Sequence, residues 1–111
     1  MPQRAPRAAL TRAGRATAWP GRLPSGRMPP HPGLFLESRF LKPLHISQEA
    51  LASGLGVSRR RVNELVRGRR AISADTAIRL GLYFGTGPEL WVNLQRAWDV
   101  YQAWRALRAG G

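Results

Sequence analysis

A chain of 111 residues, 43% hydrophobic, is long enough for one small domain and no more. Its net charge is +12 and it has no cysteine, which excludes a disulfide framework, a thiolate metal site and a Cys nucleophile. No apolar run reaches the length of a membrane span and no signal-peptide core follows the first arginines, so a soluble intracellular protein is expected.

Residues 1–30 hold six arginines and no acid, set among Ala, Pro and Gly. Such a segment cannot bury enough apolar surface to offset its ordering entropy, which predicts a disordered basic extension. Two other readings stand beside it. One is an arm that adds non-specific affinity for DNA. The other places the true initiator at Met28, just before the first helix. An organellar transit peptide is also Arg-rich and acid-poor, but nothing else in the chain points to that compartment.

The remainder, 31–111, predicts one all-α domain of five helices, with no strand-like alternation or hairpin turn. The first helix is expected over about 33–41, with Leu36, Phe40 and Leu41 at helical spacing, His31 as its cap and Pro43 as its stop. His45 falls in the turn that follows. Ser47 is a good N-cap for a second helix over about 48–54, and Ser58 for a third over about 59–66.

These two helices read together as a helix-turn-helix over residues 48–67. Helices that cross steeply need a small residue at the contact, and Ala52 supplies it. The turn between them needs a residue tolerant of positive φ, and Gly56 follows four positions later. Val57, Val62 and Leu65 then face the preceding helix, leaving Arg59, Arg60, Arg61, Asn63 and Arg67 outside. Residues 58–70 carry six arginines against Glu64, while the rest of the domain is nearly balanced. A local patch of this kind is the footprint of a polyanion site. Arg59, Arg60, Arg61 and Asn63 are the candidates for base edges in a major groove, and Ser58 at the cap is a further candidate DNA contact. Gln48, Arg67, Arg69 and Arg70 are better placed for phosphates. A helical hairpin with a merely solvated basic face is the bland alternative.

Gly68 stops the basic helix. Ser73 caps a fourth, with Asp75 in its first turn and Ala77, Leu80, Gly81 and Phe84 as an inward stripe before Gly85. Thr86 and Glu89 make an expected capping box, with Pro88 in the first turn, for a fifth helix to about 107. Leu90, Trp91 and Leu94 are expected to pack on the fourth helix. The outer part, Trp98, Tyr101 and Trp104, makes a face too broad for a domain of this size to hide, and is expected to meet a second copy of the chain. Burial of that whole face within the core is the alternative.

Several runs resemble a known family: His31-Pro32-Gly33, Phe40-Leu41-Lys42-Pro43-Leu44, Ser47-Gln48-Glu49-Ala50-Leu51-Ala52 and Leu55-Gly56-Val57. The likeness continues through Arg60-Arg61-Val62-Asn63-Glu64-Leu65-Val66, Gly68-Arg69-Arg70-Ala71-Ile72, Ala74-Asp75-Thr76-Ala77 and Arg79-Leu80. It closes with Tyr83-Phe84-Gly85-Thr86, Pro88-Glu89 and Trp91-Val92-Asn93-Leu94-Gln95. This pattern is similar to the HigA-type antitoxins, members of the xenobiotic-response-element group of phage-repressor-like helix-turn-helix proteins. It covers nearly all of 31–98 and none of 1–30.

The resemblance implies a bacterial cytoplasmic homodimer, at the nucleoid when bound to operator DNA, that represses its own operon. It also implies neutralisation of a HigB-like, RelE-fold toxin that cleaves mRNA on the ribosome. Two departures bear on this. Leu34 stands where the family usually has an acid, in a first helix poorer in acids than usual, and His45 replaces a common Gly. Leu34, Glu37 and Ser38 on the first helix are the candidate toxin contacts, because that helix stands away from the recognition helix.

An enzyme is not expected. The six carboxylates fall singly, the two histidines belong to a cap and a turn, and no cofactor, metal or small-molecule ligand is evident. The competing functions are a stand-alone transcriptional regulator without a toxin, and an interaction protein whose basic face binds RNA or a ribosome. A rigid dimer on a palindrome demands fixed half-site spacing, whereas RNA recognition does not.

Overall fold

His31 opens the fold by capping its own helix. Its Nδ1 accepts the Gly33 N–H at 2.9 Å, and Pro32 takes the first helical position, where a missing N–H leaves no ladder bond unmade. The computed structural model describes residues 28–110, so the expected basic extension lies outside the described residues but for its last three positions. The first helix runs in three joined parts: α1, Pro32–Leu36, a π-helical turn, Glu37–Leu41, and α2, Lys42–Leu44.

Pro43 therefore does not end this helix near residue 41, contrary to expectation. In an α-helical ladder its ring would crowd the carbonyl of Arg39. The π turn instead pairs the Lys42 N–H with the Glu37 carbonyl, five residues back, and the wider turn accommodates the ring. The stop comes at His45, which adopts φ 55° and ψ 44°. Its N–H donates to the Lys42 carbonyl at 3.2 Å, and the Ile46 N–H to the Leu41 carbonyl at 2.9 Å. This is a Schellman closure with histidine in the position that glycine usually takes.

The next elements follow their caps. Ser47 Oγ accepts the Ala50 N–H ahead of α3, Gln48–Leu55, and Ser58 Oγ the Arg61 N–H ahead of α4, Arg59–Val66. Gly56 joins them at φ 75°, the left-handed conformation that the tight turn demands. Ser73 caps α5, Ala74–Phe84, through the Thr76 N–H. The last helix, α6, is Glu89–Gly110, and extends beyond its expected end.

The expected capping box at the start of α6 does not form. Thr86 Oγ1 accepts the Trp91 Nε1–H at 2.9 Å and donates to the Gly87 carbonyl at 2.8 Å. Trp91 is fully buried, and leaving its indole N–H unmet costs more than forgoing a cap at an exposed helix end.

Trp91 is the hub of the core. The Phe35, Phe40 and Phe84 rings surround it at centroid distances of 6.2, 5.2 and 6.1 Å. Leu36, Leu51, Val62, Leu65, Ala77 and Leu80 are fully buried around it, with Leu90 and Leu94 packed at the margin. α1 lies on α4 and α6, α3 on α4 and α5, and α5 on α6. At the crossing of α1 and α4, a Cβ on Gly33 would collide with the Leu65 carbonyl, so only glycine permits this approach.

The outer face of α6 is less open than the sequence suggests. Tyr101 retains 7% exposure, and Trp98 and Trp104 are half-buried. Trp98 meets the His31 ring edge-on at 5.1 Å, while the Arg105 and Arg108 guanidiniums lie 5.9 and 4.9 Å from the Tyr101 and Trp104 ring centres. Arginines one turn along the same helix thus cover part of the aromatic band, a contact that counting apolar positions overlooks.

Candidate nucleic-acid interface

α4 begins with three consecutive arginines and no acid in its first turn. Cations at a helix N-terminus oppose the macrodipole, so the sequence accepts a local cost to concentrate positive charge there. The opposite face of the helix holds it in place: Val62, Leu65 and Val66 are buried against the core.

The three arginines are not equivalent. Arg59 is exposed, and the Arg60 side chain is 88% exposed. Arg61 departs from the expectation that all three stand outside. Its Nη2 donates to Thr76 Oγ1 at 2.6 Å and to Asp75 Oδ2 at 3.2 Å, so its guanidinium lies against α5 with 27% exposure. Asn63 is also partly enclosed, its Nδ2 donating to Gln48 Oε1 at 3.0 Å. This bond joins the two helices of the motif. Because it uses the acceptor end of the Gln48 amide, the donor end of Gln48 is what remains to meet a phosphate.

Several residues that build this surface went unrecognised in the sequence. Arg79 Nη1 donates to the Leu55 carbonyl at 2.8 Å beside the motif's turn, and its Nε to Asp75 at 2.9 Å. Asp75 thus sits between Arg61 and Arg79. Those partners, Arg79 foremost, hold its carboxyl below the usual range. Glu64 accepts from Arg60 and Arg70, and the Arg70 hydrogen bond does most to hold its carboxyl low. Gln95, on α6, accepts the Ile72 N–H at 2.8 Å and donates to Asp99 at 2.9 Å. That bond pins the loop carrying Arg69 and Arg70, both exposed, as is Arg67 at the helix end. The i, i+4 pairs Arg60–Glu64 and Asp75–Arg79 were visible as spacings, but the cross-helix partners were not.

On the first helix, Leu34 and Ser38 are exposed and Glu37 is half-buried. Among the described residues no cluster of His, Cys, Asp and Glu could hold a metal, and no helix is long and apolar enough to cross a membrane.

The helix-turn-helix family model matches residues 38–91. Virulence-associated protein I of Dichelobacter nodosus is 48% identical over 84 residues, covering 73% of this chain and 78% of that protein. Antitoxin HigA-1 of Vibrio cholerae is 39% identical over 75 residues, covering 68% and 70% respectively. The Pseudomonas aeruginosa antitoxin HigA, solved with the higBA promoter, superposes with a TM-score of 0.69 at 49% identity, over 70% of this chain and 85% of that one. This chain belongs to the HigA-type antitoxin family.

As a HigA-type protein it is all-α and is not an enzyme, its relatives being helix-turn-helix antitoxins and regulators. The matched helix-turn-helix region contains both α3 and α4, and also α5, whose Asp75, Thr76 and Arg79 brace the motif from behind.

Proposed function

We propose that this chain is a cytoplasmic operator-binding antitoxin, associated with the nucleoid when on DNA. It acts as a homodimer that represses its own operon and neutralises a HigB-like mRNA-cleaving toxin. The observation that carries the DNA half is the exposed pair Arg59 and Arg60 at the start of a helix whose other face is locked into the core. The HigA relative solved with promoter DNA supports the same reading. In this reading Arg59, Arg60 and Asn63 read base edges, with Arg suited to guanine O6/N7 and Asn to adenine N6/N7. Gln48, Ser58, Arg67, Arg69 and Arg70 hold the backbone, and Arg61 positions the helix.

Dimerisation uses the α6 face that carries Trp98 and Trp104, with Tyr101 between them, and sets two recognition helices about 34 Å apart on a palindrome. Toxin binding uses the first helix, where Leu34 and Ser38 are exposed beside Glu37. With a single acid there, apolar contact and shape carry more of the affinity than charge, so the complex survives moderate salt.

Two measurements test the reading. Fluorescence anisotropy should show a duplex from upstream of the gene bound at least about a thousandfold tighter than a scrambled duplex of equal length. Coexpression should show that the product of the neighbouring reading frame arrests growth alone and not alongside this protein. A harmless neighbour, or a toxic one that is not rescued, leaves a stand-alone regulator. Equal affinity for both duplexes removes the operator reading.

A further inference from the structure

Glu64 stands on the recognition helix amid six arginines, with both of its oxygens occupied. Oε1 accepts from Arg70 through Nε at 2.9 Å and pairs with Nη2 at 2.8 Å, a two-pronged grip. Oε2 accepts from Arg60 Nε at 3.2 Å. The two tethers differ in strength. Arg70 is 47% exposed and held by two nitrogens, whereas Arg60 is 88% exposed, held by one, and precedes its acid at i, i+4, the weaker order on a helix.

We propose that Glu64 is a specificity-determining residue: its carboxylate occupies Arg70 and loosely tethers Arg60, lowering affinity for arbitrary duplex more than for the operator. This rests on the operator-binding reading above. On arbitrary DNA, Arg60 and Arg70 have only phosphates to gain, and must leave a carboxylate to reach them. On the operator, Arg60 exchanges its weak tether for base-edge bonds, so the loss is recovered there and nowhere else. Phosphate attraction dominates non-specific binding, so one acid placed between two arginines acts where discrimination is otherwise lost.

Glu64→Gln keeps the shape and a hydrogen-bonding end while removing the charge. Anisotropy titrations with the upstream duplex and a scrambled duplex, each across a salt series, test the proposal. The variant should bind the scrambled duplex about tenfold tighter and the upstream duplex within about threefold of wild type. Its salt slope on the scrambled duplex should steepen by about 0.9 for each arginine freed. Arg70→Gln should lower that slope less in the wild-type background than in the Glu64→Gln background, where the full share of about 0.9 is lost for each of the two copies in the dimer. Far-UV circular dichroism checks that each variant is folded, and the Arg70 pair gives a second reading of the same coupling. Unchanged discrimination and slope in Glu64→Gln overturn the proposal alone. Loss of operator affinity with no gain on scrambled DNA also overturns it, because Glu64 then reads a base itself. Wild-type protein that does not discriminate overturns the operator reading, and this proposal with it.

Discussion

Arg61 and Thr76 are 15 residues apart in sequence and 2.6 Å apart in space, the arginine Nη2 donating to the threonine hydroxyl. Thr76 is itself buried and accepts through a hydroxyl that also meets Ser73 Oγ at 3.2 Å. The same guanidinium pairs with Asp75, while its Nε is buried without a partner. The recognition helix is thereby fastened to α5 by a residue that the charge pattern assigns to DNA.

Arg61→Ala should lower stability by about 1.5–3 kcal/mol, the usual scale for a hydrogen bond to a charged group. Urea titration should show a lower midpoint with an unchanged slope, and Arg61→Lys should not restore it, since an ammonium cannot reproduce the planar fork. Near-wild-type stability in the alanine variant would return Arg61 to the set of free DNA contacts.

Readout and positioning should separate in the remaining basic residues. Arg60→Ala and Asn63→Ala should each cut the preference for operator over scrambled duplex by about 1–3 kcal/mol. Arg69→Ala should weaken both duplexes alike. A dimer neutralising about eight phosphates loses on the order of four decades of affinity between 50 and 200 mM salt. Uniform weakening by all three variants would refute this division.

His31 gives the fold a mildly acidic weakness. Burial lowers its pKa from the ordinary 6.5, with Asp99 opposing the shift. As pH falls below that value, the unfolded imidazole takes up its proton first, so the unfolded state binds more protons and stability declines. The decline levels off once the folded imidazole also protonates, which costs the cap, since Nδ1 must be bare to accept the Gly33 N–H. Glu64 and Asp75 have lowered pKa values too, and their contributions are lost only at more acid pH, below their ordinary 4.5 and 3.8. Urea midpoints between about pH 5 and 7.5 should slope downward toward acid in the wild type and be flat in His31→Asn, which keeps a capping oxygen. An equal slope in both proteins would place the titrating group elsewhere.

Trp104→Glu is the cleaner probe of the proposed dimer, because Trp98 also touches His31. Sedimentation velocity should show monomers, with the helical circular dichroism spectrum retained and operator affinity greatly reduced. A variant that stays dimeric would move the interface to another apolar surface, such as Ile78 and Leu82 on α5, which are 52% and 80% exposed.

Much of the fold was legible because its signals are local. Ser47, Ser58 and Ser73 cap their helices through N–H groups three residues on, and Gly56 turns where a left-handed residue is required. Local signals misled where a non-local demand outweighed them. Thr86 was taken from its expected cap by the Trp91 indole, and Pro43 was absorbed by a π turn. Within the candidate site, the run of arginines was plain, but which of them are engaged was not. Arg61 with Asp75 and Thr76, and Gln95 with Ile72, join residues 14 to 23 positions apart. Spacing along one helix cannot foresee such pairs. Tyr101 is more buried than its place on the helix face suggests for a similar reason, since the area a helix face buries depends on what lies across it.

At the Gly33 crossing α1 and the recognition helix meet backbone to backbone at Leu65, with no room for a side chain at that point. Packed side chains can trade rotamers and let two helices slide, whereas a backbone contact sets a hard stop. The first turn therefore cannot press closer to the recognition helix at that point. A toxin seated on the first helix could not drive that helix further onto the one that bears the arginines. Its influence on the promoter would have to come from steric exclusion of the duplex, or from altering how two protomers are spaced.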